Sequence, residues 1–86
     1  MDKVFKERVA HVLDGIENKI SSMNQVNFNT AITSCMIQTE INVLCKILDK
    51  DSEEFETLLS INKKALEKHN ELGIGMVDKL SEMQNR

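Results

Sequence analysis

His11, His69, Cys35 and Cys45 are the side chains of this sequence best suited to hold a metal ion. None of them falls in the short paired spacing by which zinc ligands enter one coordination sphere. Cys35 and Cys45 stand ten positions apart in a segment that reads as one helix, about 15 Å along its axis at 1.5 Å per residue. A disulfide tolerates a Cα separation of about 7 Å at most, so they cannot bridge within that helix, and only a bridge between subunits is left open. Neither thiol has a base nearby in sequence, so both read as small core residues. Unpaired thiols suit a reducing compartment, and a cytoplasmic location is expected. His11 falls away from the apolar stripe of its helix and reads as a surface residue.

Acid–base chemistry needs carboxylates or imidazoles gathered in a concave pocket, whereas the acids here fall on outward helix faces. Gly73-Ile74-Gly75 has neither the preceding strand nor the following lysine and serine of a phosphate loop. Lys63, Lys64 and Lys68 make a small basic patch beside Glu67 and Glu71, with no aromatic platform for a nucleic acid, and read as a solvated face. The formal charge of −3 also argues against a polyanionic partner. The expectation is a protein without catalytic residues, metal or cofactor.

Asn62 and His69 are the sharpest local signal, polar positions inside a stripe formed by Leu58, Leu59, Ala65, Leu66, Leu72 and Leu80. They recur with Met76 and Met83 at seven-residue spacing. A buried Asn in a helix interface fixes register and partner number, and a buried His could make association depend on pH. The alternative is that the stripe is shallow here and both side chains reach water.

The elements that must position these residues follow from composition. Among 86 residues there is no proline, and only three glycines occur, while Leu, Ile, Met, Glu and Lys abound, so helix is favoured throughout. One domain of residues 1–86 is expected, at a size where a core is marginal. Its aromatic content is three phenylalanines, which leaves an aliphatic, methionine-filled core. Phe5, Val9, Val12, Ile16, Ile20 and Met23 step along one stripe of a first helix over about 2–23. Asn27 is placed to cap a second helix over 28–48. Asp51 or Ser52 caps a third, with Glu53, Glu54 and Glu56 in its first turn, where the helix dipole favours negative charge. The unbroken heptad favours a long third helix over 52–84, kinked or closely packed at the glycines. The alternative is a Schellman-type stop at Gly73 with a short helix from Met76.

The fold class expected is therefore all-α, an antiparallel three-helix bundle with a long third helix, with Phe5 and Phe55 plugging one end and Phe28 the other. The second helix is apolar on two sides. At about 100° per residue, Phe28, Ile32, Cys35, Met36, Val43 and Ile47 share one side, and Ile37, Ile41, Leu44, Cys45 and Leu48 the other. A helix apolar nearly all round is a buried one, and the chain has few elements to enclose it. Completion by oligomerisation is expected, through an interface of Ile37, Ile41, Leu44, Leu48, Asn62, His69, Met76 and Met83.

These features point to a non-enzymatic interaction module that forms a homo-oligomer and binds another protein, an adaptor, chaperone or inhibitor of the kind a bacterium or phage encodes. No apolar run is long enough to cross a membrane, and neither membrane nor nucleic acid is an expected partner. The segment Ile41-Asn42-Val43-Leu44-Cys45-Lys46-Ile47-Leu48-Asp49 resembles the helix of small bacterial motility and secretion-rod proteins. That resemblance implies, as a second reading, a component or chaperone of an export apparatus. A third is an oligomer that sequesters a small ligand between subunits, with His69, Asn62 or the lysines of the third helix as polar contacts.

Overall fold

The computed structural model describes residues 2–74. It consists of α1 (Lys3–Ser22), α2 (Phe28–Ile47) and α3 (Glu53–Leu72), each of 20 residues, and the three pack against one another with no strand among the described residues. Side-chain caps set each start. The Asp2 carboxylate accepts from the Val4 N–H at 2.8 Å, Asn27 Oδ1 from the Thr30 N–H at 2.9 Å, and Ser52 Oγ from the Phe55 N–H at 3.2 Å. Each bond satisfies an N–H that has no partner within its own helix. The α1–α2 connection is tied further by Thr30 Oγ1, which donates to the carbonyl of Gln25.

The third helix is not long. It ends at Leu72, where Gly73 turns left-handed at φ 73°. The Ile74 N–H donates to the His69 carbonyl at 2.8 Å and the Gly73 N–H to that of Asn70 at 3.2 Å, the paired bonds of a Schellman stop. A seven-residue spacing that runs on through the glycines says nothing about backbone handedness, and glycine takes this conformation without strain. A helix over 52–84 is thereby corrected. Met76, Leu80 and Met83 lie outside the described residues.

The core is drawn from all three helices and is centred on Ile16, Ile37 and Leu58, each fully buried. Burial of such a side chain stabilises by about 1.5–3 kcal/mol. Phe55 is buried beside them, and Phe5 packs half-buried against the same cluster. Phe28 plugs nothing, because it is 79% exposed at the start of α2.

Candidate functional site

The two apolar sides of α2 have different fates. Ile37, Ile41, Leu44 and Leu48 are buried within the single chain, packed in the core with α1 and α3, so the side expected to meet a second subunit is intramolecular core. Phe28, Ile32, Met36, Val43 and Ile47 are exposed, the last four at about half of their surface, and Cys35 is exposed among them. The thiol expected in the core is therefore on the surface. Cys45 is buried, and its Sγ donates to the Asn42 carbonyl at 3.1 Å.

Two open grooves run between α1 and this outward side. One, of about 560 Å³, is lined by Ala31, Ile32, Cys35 and Met36 with Lys19. The other, of about 420 Å³, is lined by Phe5, Val9, Val12, Val43 and Ile47 with Arg8. They meet at Thr39 and Glu40, which line both. There Lys19 Nζ pairs with Glu40 Oε1, each side chain about a quarter exposed. The walls are otherwise largely aliphatic, so the surface can exclude water from an apolar ligand or chain but offers little to a polar one.

Asn62 and His69 are both buried, His69 to 1% exposure, and they sit inside this chain and not against a second one. His69 Nδ1 lies 2.6 Å from the Ala65 carbonyl. A carbonyl only accepts, so Nδ1 carries a proton, and in the neutral ring Nε2 is then the acceptor. Ser34 Oγ stands 2.6 Å from Nε2 and donates to it in that tautomer, while the Gln38 amide donates to Ser34 Oγ at 3.3 Å. A hydroxyl on an imidazole is also the arrangement that activates a nucleophile. Here both residues are buried and neither lines the two grooves, and the pair satisfies buried polar groups. Sequence reasoning missed Ser34. Its signal was position, because at 100° per residue it shares the inward arc of Ile37 and Ile41.

Two of the three lysines of α3 stand near carboxylates at its surface. Lys64 Nζ lies 3.7 Å from Glu17 and Lys68 Nζ 3.9 Å from Glu71. His11 is exposed. No cluster of His, Cys, Asp and Glu among the described residues could hold a metal ion, and no described helix is long and apolar enough to cross a membrane. Compared with known proteins, the chain matches no family model, no curated protein and no solved structure.

Proposed function

We propose that this chain is a non-enzymatic protein-binding module that associates through the outward side of α2. One observation carries the reading: five large apolar side chains, Phe28, Ile32, Met36, Val43 and Ile47, stand exposed in a single stripe, bordered by two apolar grooves. Scattered exposed hydrophobics are normal on any protein, but a continuous stripe along a whole helix marks a surface meant to be covered. The buried Ser34–His69 pair supports a role without catalysis.

In this reading the helices run up, down and up. Ser34, early in α2, pairs with His69 near the end of α3, whereas Glu17, late in α1, faces Lys64 in the second half of α3. The exposed thiol of Cys35 suits work in a reducing cytoplasm.

Light scattering over a concentration series tests the reading, with the native chain set beside Met36→Lys and Val43→Lys. Association of the native chain that both variants lose, at unchanged helix content and urea midpoint, supports it. Association that survives both substitutions removes this side of α2 as the interface.

A further inference from the structure

Phe28, Ile32, Met36, Thr39, Val43 and Ile47 follow one another at intervals of four, four, three, four and four residues. The same intervals are read from either end. We propose that the occupant of this stripe is a second copy of the chain, its α2 lying antiparallel across the first about a two-fold axis, with Phe28 beside Ile47 of the other copy, Ile32 beside Val43 and Met36 beside Thr39. The pairing presupposes the outward side of α2 as the interface and specifies who covers it and in which register.

Three features of the surface favour this occupant. A two-fold contact uses one patch twice, so the patch must be complementary to its own reverse, which the spacing satisfies. A slip by one turn leaves Phe28 or Ile47 beyond the end of the opposing helix. Size also matches, since Phe28, 79% exposed, arrives over the groove lined by Phe5, Val43 and Ile47, and the long Met36 meets the small Thr39. A parallel pair would instead stack Phe28 on Phe28 and leave Thr39 facing Thr39, with a bulge at one end and a gap in the middle.

Extent is the third feature. Phe28 at 79% exposure and four aliphatic side chains at about half of their surface are spread over the 20 residues of α2, about 30 Å of helix. The exposed Ala31, Thr39 and Arg8 border them, so the face runs the whole length of the helix, as a contact between two antiparallel copies of α2 requires. In this register the Cys35 residues of the two copies are offset by about 7.5 Å along the helix axes alone. That is beyond the reach of a disulfide, so the native thiols do not cross-link the pair.

The test uses full-length chains in which Cys35 is replaced, Cys35→Ser, and one new cysteine is added at an exposed position. Ile32→Cys and Val43→Cys chains are mixed under mild oxidation and the products identified by mass; Met36→Cys with Thr39→Cys is the second, independent pair. A mixed disulfide that dominates both homodisulfides, with none formed by the Cys35→Ser parent, is the expected result. Homodisulfides of Ile32→Cys or of Met36→Cys in preference to mixed ones overturn the antiparallel register, while loss of association in Met36→Lys would still uphold the interface. No disulfide in either mixture, together with a native chain that stays monomeric in light scattering, overturns the second copy as occupant.

Discussion

Ser34 Oγ and His69 Nε2 lie 2.6 Å apart in the interior, joining the first half of α2 to the last turn of α3. Because Nδ1 is committed to the Ala65 carbonyl, Nε2 depends on this hydroxyl alone among the described contacts. Ser34→Ala should cost about 1–3 kcal/mol, the usual penalty for stranding a buried acceptor. His69→Leu, which removes the ring and its demand together, should make the further loss of the hydroxyl nearly neutral. Urea unfolding of the two single variants and the double variant measures the coupling directly.

Gly73 separates two helix lengths by the sign of one substitution. At φ 73°, with open space where a Cβ would go, Gly73→Ala meets no steric contact but must hold a left-handed backbone. It should destabilise by about 1 kcal/mol. Within a continuous helix the same change would stabilise by a similar amount. Thermal unfolding in which the midpoint falls identifies the stop.

Met36 and Ile37 are adjacent in sequence and opposite in environment, exposed and fully buried respectively. Ile37→Asp should abolish the fold, because it buries an unpaired carboxylate. Met36→Asp should keep the helical signal and remove association. Circular dichroism with light scattering on both variants separates the two sides of α2, and two identical phenotypes would contradict their assignment.

The cysteines should differ in the same way. At a dilution where the chain is monomeric, a thiol reagent should modify Cys35, which is exposed in the single chain, within the mixing time, and Cys45, 5% exposed, only as the chain unfolds. One fast equivalent and one slow, urea-accelerated equivalent is the expected titration.

Local chemistry made the helix starts legible in the sequence: Asn27 is placed as a cap and acts as one, Ser52 is the one of Asp51 and Ser52 that caps α3, and the stripe from Val9 to Ile20 is the inward side of α1. The double apolar pattern of α2 was legible too, but not its orientation. Both arcs carry comparable side chains, and the choice between them depends on how α1 and α3 close over one arc, information that a periodicity does not hold. Burial of His69 depends on Ser34, 35 positions away, so no window on α3 alone could settle it. The stop at Gly73 stood in the sequence as the alternative and not the favoured reading for a different reason, since apolar phase records faces and not the sign of φ.

The outward stripe of α2 is made largely of β-branched residues, Ile32, Val43 and Ile47. In a helix each of these has nearly one χ1 conformation already chosen, so a partner that covers them freezes little motion. The entropy lost on contact is concentrated in Met36 at the centre, where three rotatable bonds must settle. The surface is therefore close to its bound shape before anything arrives, and its affinity should depend on the fit of an already rigid stripe more than on adjustment after contact.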